Sequence, residues 1–347
     1  MNTSSRLSAI AAASLLSIAG TAQAQSSVTL YGAIGLDVLS ASHVNTGTAS
    51  KSLVKIDDNA IVNSRIGVKG VEDLGSGLKA VFDLESSVSP DTGKSNGTFW
   101  NRGAYVGLAG DFGSVKLGHQ WNVADDYMGN YFVFGYYSPF LLSGFGALSD
   151  YYDNAIKYNS PNWGGFEGGL YYSAGEKAGL KSAGQKTQAA GTYGTGPFSI
   201  GLSFFSEKNP LGGTKGNTMV AGGVSYDFGV LKARLGLAST DVRYTAPFKA
   251  KLVDVGVDVP ITAAAAVSVD YVKKDVNNSP DGTAFTRFRA SYALSKRTSL
   301  NANLIFLRNS GAADFAFISQ ANNPNNPFQG TAGQNQTIVT AGITHSF

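Results

Sequence analysis

Apolar and polar residues alternate with a period of two in segment after segment of this chain. Over 28–39, Val28, Leu30, Ile34, Leu36 and Val38 share one face, and Thr29, Tyr31 and Asp37 share the other. The same pattern sets Leu78, Ala80, Phe82 and Leu84 against Lys79 and Asp83. It sets Leu235 and Leu237 against Arg234, Val253 and Val255 against Asp254, and Phe288 and Tyr292 against Arg287 and Arg289. Such a period marks strands with one face in an apolar medium and the other in water. The last segment, 336–347, keeps the alternation to its final residue, Phe347. A closed barrel needs a strand of that kind to pair with the first and leave no edge.

A soluble sandwich would turn the polar face outward, whereas a membrane barrel turns it inward onto an aqueous channel. The connections decide between them. Tight turns are expected at 72–77, 110–114, 161–165, 194–197, 227–229, 260–262 and 295–298. Longer polar loops are expected at 40–58, 89–99, 176–186, 208–215, 244–249, 276–282 and 309–334. Seven tight turns close seven hairpins, and the two terminal strands bring the count to sixteen. Short turns at one end and long loops at the other are the outer-membrane arrangement. The chain is therefore read as all-β, a 16-stranded antiparallel transmembrane barrel with both termini at the short-turn, periplasmic end.

Residues 1–24 read as a secretory signal peptide. Arg6 is followed by an apolar stretch over 7–19 and a small-residue end, Ala22-Gln23-Ala24. The barrel then occupies 25–347. The apolar stretch is too short to span a membrane, which takes ~20 residues. The chain has no cysteine, so an exported fold must be held by its sheet rather than by disulfides. Mean hydropathy near zero fits alternating strands and not a bundle of apolar helices. A net charge of +3 gives no footing for nucleic acid.

The segment 121–152 carries no clear strand but many aromatic residues, among them Tyr127, Tyr131, Phe132, Tyr136, Tyr137 and Phe140. Long loops without regular structure tend to be functional. The expectation is that this third long loop folds into the pore and narrows it, with tyrosine supplying a ring to pack and a hydroxyl to face water.

Several stretches resemble the general porins of Gram-negative outer membranes, the 16-stranded trimeric type of β-proteobacteria. They are SSVTLYG at 26–32, NSRIGVKGVEDLGSGLKAVFDLE at 63–85, NRGAYVGLAGDFGSVKLGHQ at 101–120, YNSPNWGGFEGGLYY at 158–172, YALSKRTSL at 292–300, and the terminal aromatic. The resemblance implies passive diffusion of small hydrophilic solutes and ions through a homotrimer set in outer-membrane lipid and lipopolysaccharide. It also implies that Phe347 is read by the outer-membrane assembly machinery. Basic residues of the barrel wall would face acidic residues of the third loop.

Arg65 matches one wall arginine, and alternation agrees, since Ile66 and Val68 turn Arg65 and Lys69 inward. Arg102 matches a second by resemblance alone, because it shares parity with Ala104 and Val106. The chain departs from the pattern in three places. Tyr151 stands where a third arginine is usual, His119 replaces an arginine, and the loop reads Ser138-Pro139-Phe140 without a carboxylate. The remaining candidates are Lys157 on the wall and Asp125, Asp126 and Asp150 in the loop. The implied constriction is weaker in charge and richer in aromatics.

No catalytic or metal-binding constellation emerges. The three histidines, His43, His119 and His345, have no metal-ligand spacing, and no cofactor is implied. Gly93-Lys94-Ser95 lacks the first glycine of a phosphate loop. A barrel lipase would need a Ser–His pair, and His345 beside Ser346 has no third partner, so the chain is not read as an enzyme. The alternative within channels is a substrate-specific one, with Tyr136, Tyr137 and Phe140 as a stacking track. Inward carboxylates such as Asp83 and Glu85 are expected to be solvated.

Overall fold

The computed structural model describes residues 26–347 apart from 47–48, 59–60, 96, 134–141, 181, 213–215, 245 and 317–328. The signal-peptide reading of 1–24 lies outside these residues. Sixteen staves form one closed antiparallel sheet. They are β1 (Ser27–Asn45), β2 (two segments, Ser50–Asp58 and Arg65–Gly75), β3 (Leu78–Ser89), β4 (Gly103–Gly110), β5 (Gly113–Trp121), β6 (Tyr151–Asn159), β7 (Phe166–Ser173) and β8 (Lys186–Thr195). There follow β9 (Phe198–Glu207), β10 (Asn217–Asp227), β11 (Lys232–Val242), β12 (Phe248–Pro260), β13 (Ala265–Val276), β14 (Gly282–Ala293), β15 (Thr298–Ser310) and β16 (Gln336–Ser346). Lys94–Ser95 is a two-residue strand in a loop and pairs with the end of β3, not with any phosphate-binding helix.

All seven tight turns fall where they are expected. The β2–β3 turn shows the local chemistry: Gly75, Ser76 and Gly77 have φ of +87°, +52° and +79°. Hairpin turns whose twist matches the sheet need positive φ, which glycine adopts without cost. Closure is made by β1 against β16, in register from Ala33 opposite Ser346 to Ala41 opposite Ile338. Beyond the last strand residue, Gly32 and Phe347 exchange both backbone hydrogen bonds at 3.1 Å.

One loop is shorter than expected. Residues 40–58 were expected as a connection, but β1 continues to Asn45 and β2 begins at Ser50. Val54 and Ile56 point outward there as in other staves, yet Leu53 sits on the inward face and blurs the alternation. The two halves of β2 both pair with β1. Buried Ser64 bridges the break: its Oγ accepts from Gly35 N–H at 3.0 Å and donates to the carboxylate of Asp58. A gap in the ladder would strand backbone groups inside the sheet, and the hydroxyl stands in for them.

The faces separate by parity. Outward positions such as Val28, Leu30, Val106, Leu202, Phe204 and Ile343 are exposed and make the apolar belt of a membrane barrel. Inward positions carry most of the charge, but the inner wall is not polar throughout. Phe205, Met219, Leu252, Val272, Phe285 and Ile305 turn inward and are buried together with Met128, Tyr131, Phe132, Leu142 and Phe145 of the segment 121–152. The inner face therefore holds an apolar patch with a cover of its own chain, which removes that surface from water.

Candidate functional site

The basic wall is organised around one carboxylate. Arg65 on β2 reaches Glu85 of β3, Nε to Oε2 at 3.2 Å, and donates from Nη1 to the carbonyl of Asn63 at 3.0 Å. Arg102 donates from Nε to the other oxygen of Glu85 at 2.6 Å. Two guanidinium groups thus share one carboxylate, leaving the trio net positive. Arg102 lies one residue before β4, where strand alternation does not bind it. Its own N–H donates to Glu85 O at 3.1 Å, and its guanidinium lies 5.2 Å from the Trp121 ring. Tyr31 donates to Asp83 at 2.8 Å and to Glu85 at 3.1 Å, while the ammonium of Lys69 lies 4.9 Å over the Tyr31 ring. Glu85 is thus buried and paired rather than solvated, and its carboxylate bridges the two arginines, offsetting their mutual repulsion.

The third loop leaves β5 through a short helix, α1 (Val123–Tyr127). Asn122 caps it, its Oδ1 accepting from Asp125 N–H at 3.0 Å. Asp125 also accepts from the Ser149 hydroxyl, and burial pushes its carboxyl above the usual range. Asp126 accepts from Lys157 Nζ at 2.9 Å and from Asn159 Nδ2 at 2.8 Å, which ties the helix to β6. Asp150 accepts from Tyr151 N–H at 2.9 Å, and burial pushes its carboxyl up to about 6. Beyond the helix, Tyr131 lies against Gly201 and Gly223 of β9 and β10, where a Cβ would strike its ring. Its hydroxyl bonds Thr192 and Ser199, and Val133 N–H donates to Asp254 of β12 at 2.7 Å. All of these wall positions are on the inward face.

His119, Trp121 and Tyr151 form a group beside Arg102. His119 pairs through Nδ1 with Asp153 at 2.6 Å, and its ring lies 5.1 Å from that of Tyr151. Trp121 and Tyr151 meet edge to face at 4.6 Å. A register shift between Gly118 and Gln120, opposite Asn154 with φ +55°, breaks the alternation here. A bulge of this kind re-aims side chains. Phe347 stands apart at the barrel seam. Tyr136, Tyr137 and Phe140 lie outside the described residues.

The titration of Asp150 has a readable consequence. Its raised pKa means that the folded chain holds this proton more tightly than an unfolded chain, with the difference present between the ordinary carboxylate range and about 6. Lowering the pH from 7 to 5 removes one negative charge from the loop. The reversal potential in a KCl gradient is expected to move toward anion preference over that interval. Asp150→Asn should flatten this pH dependence; an unchanged pH profile in the variant would assign the titration elsewhere.

A second charged cluster escaped the sequence reading, although the inward parity of its members was its signal. Arg234 of β11 pairs with Asp258 and Asp270, and Arg287 of β14 donates to Asp270 from Nε at 2.8 Å and Nη2 at 2.6 Å. Ser268 donates to Asp258 at 2.6 Å. Arg289 lies one inward position further along β14.

Comparison with known proteins supplies independent footing. A family model described as Gram-negative porin matches residues 9–312. The chain is 31% identical over 353 residues to outer membrane porin protein 32 of Delftia acidovorans, covering 97% of this chain and 98% of that one. It is 31% identical over 399 residues to an outer membrane porin protein of Bordetella pertussis, covering 97% and 99%. An anion-selective porin from Comamonas acidovorans matches with a TM-score of 0.81 at 27% identity, over 93% of this chain and 100% of that one.

Proposed function

The chain belongs to the Gram-negative porin family, and on that premise we propose that its channel prefers anions and is narrowed by the segment 121–152. As an integral barrel of the outer membrane, it forms a water-filled path for small hydrophilic solutes. The observation that carries the anion reading is the sharing of Glu85 by Arg65 and Arg102, which leaves a net positive wall. The selectivity printed for the Comamonas porin points the same way. Lys157 and Lys69 add to the wall, while Asp125, Asp126 and Asp150 of the loop reduce the effect, Asp126 directly through its pair with Lys157. Beyond ~8 Å such charges are screened at ~0.15 M salt, so only the constriction itself discriminates.

The family also supports a trimer, an N-terminal signal peptide and recognition of Phe347 by the assembly machinery, and we adopt these as part of the reading. The aromatic track of a substrate-specific channel, Tyr136, Tyr137 and Phe140, lies outside the described residues, and the comparisons do not favour that alternative. Purified protein reconstituted in a planar bilayer is expected to give stepwise conductance, with a reversal potential of anion sign in a KCl gradient. Absence of conductance would refute the channel, and a cation sign would refute the selectivity.

A further inference from the structure

On the wall formed by β11 to β15, three arginines meet two paired carboxylates. Arg234 and Arg287 take up Asp258 and Asp270 between them. Among the described residues, no carboxylate pairs with Arg289, and its Nε is buried without a hydrogen-bond partner. Arg289 stands opposite Ser268 on one side and Asn303 on the other. One inward position further toward the short-turn end, Ser291 stands opposite Asn301. Asn301 and Asn303 are buried, at 7% and 2% exposure. Asn303 spends its amide on Thr340, Nδ2 to Oγ1 at 3.0 Å, yet its Oδ1 has no partner; neither amide atom of Asn301 has one.

Buried polar groups without partners are rare, because each forfeits its hydration. Beside them, Arg289 and the Asn301 amide offer donors that an anionic ligand can take up. A guanidinium presents a planar fork of donors that fits two oxygens of one plane. The Asn301 amide can add a third donor from the flank.

We propose that Arg289, with the Asn301 amide, forms a binding subsite for a small carboxylate on the channel wall, on the periplasmic side of the Arg234–Arg287 pairs. It rests on the channel reading and adds to it a saturable station for one class of permeant anion. Asp258, already held by Arg234 and Ser268, faces the subsite and limits its affinity. A carboxylate is thus expected to bind weakly enough to leave.

The test is chloride current through single reconstituted channels, with potassium acetate added at constant ionic strength. The wild type is expected to show block that saturates with acetate. Arg289→Gln should raise the half-blocking concentration about tenfold, each variant being normalised to its own unblocked current. Arg289→Lys keeps the charge but loses the fork and should fall between. Asn301→Ala should weaken block with no change of formal charge. Conductance without saturable acetate block would overturn the subsite while leaving the channel intact. Block that survives Arg289→Gln but vanishes in Arg102→Gln would overturn it too, by moving the site to the other wall. Absence of any conductance would instead sink the channel reading itself.

Discussion

Glu85→Gln is expected to strengthen the proposed anion preference and to lower thermal stability at the same time. Glu85 is the shared partner of Arg65 and Arg102 and accepts from Tyr31 as well. Its neutral replacement can still accept, but it no longer offsets either guanidinium. Charge-assisted hydrogen bonds are worth about 1.5–3 kcal/mol each, and partial hydration of the lumen holds the net loss to about 1–3 kcal/mol. The two arginines would then repel across the short span that Glu85 bridges. Reversal potential and the temperature of barrel unfolding, read by gel mobility, measure the two effects. A variant whose reversal potential moves toward cation preference, or not at all, would show that the wall arginines do not set selectivity.

Tyr131→Ala is expected to release the third loop and widen the passage. The ring is fully buried, lies against Gly201 and Gly223, and anchors through its hydroxyl to Thr192 and Ser199. Truncation of a buried aromatic residue costs about 3–5 kcal/mol. Most of that falls on one segment, because the staves keep their own ladders. Single-channel conductance and the size of the largest permeant polymer should both rise. Gly223→Val reaches the same end from the other side, since a side chain there displaces Tyr131, although it also presses on the Leu235 carbonyl of β11. Were both variants to keep wild-type conductance and polymer exclusion, the segment would not be what limits passage.

Much of the barrel was legible because its determinants are local. Parity along one strand places Arg65, Lys69, Asp254 and Arg287 on the inward face without reference to any neighbour. The turns carry their own chemistry, as Gly75-Ser76-Gly77 shows. What misled was local too: Leu53 on the inward face disguised the first half of β2, and no parity rule reaches His119 and Tyr151, which flank the bulge opposite Asn154.

The sequence by itself determined the number of staves, the face taken by residues in the regularly alternating strands and the end at which each tight turn lies. A two-residue period and a turn motif are properties of a few adjacent residues. Only the tertiary structure decided which charges meet. Glu85 between Arg65 and Arg102, Asp270 between Arg234 and Arg287, and Arg289 left over all depend on register across neighbouring strands. The burial of Phe285 and Ile305 in one cluster with Phe132 depends on residues far apart in the chain meeting. A register shift between strands leaves parity arguments about each strand unchanged in form, yet it changes every partner, and so the site had to be read from the closed sheet.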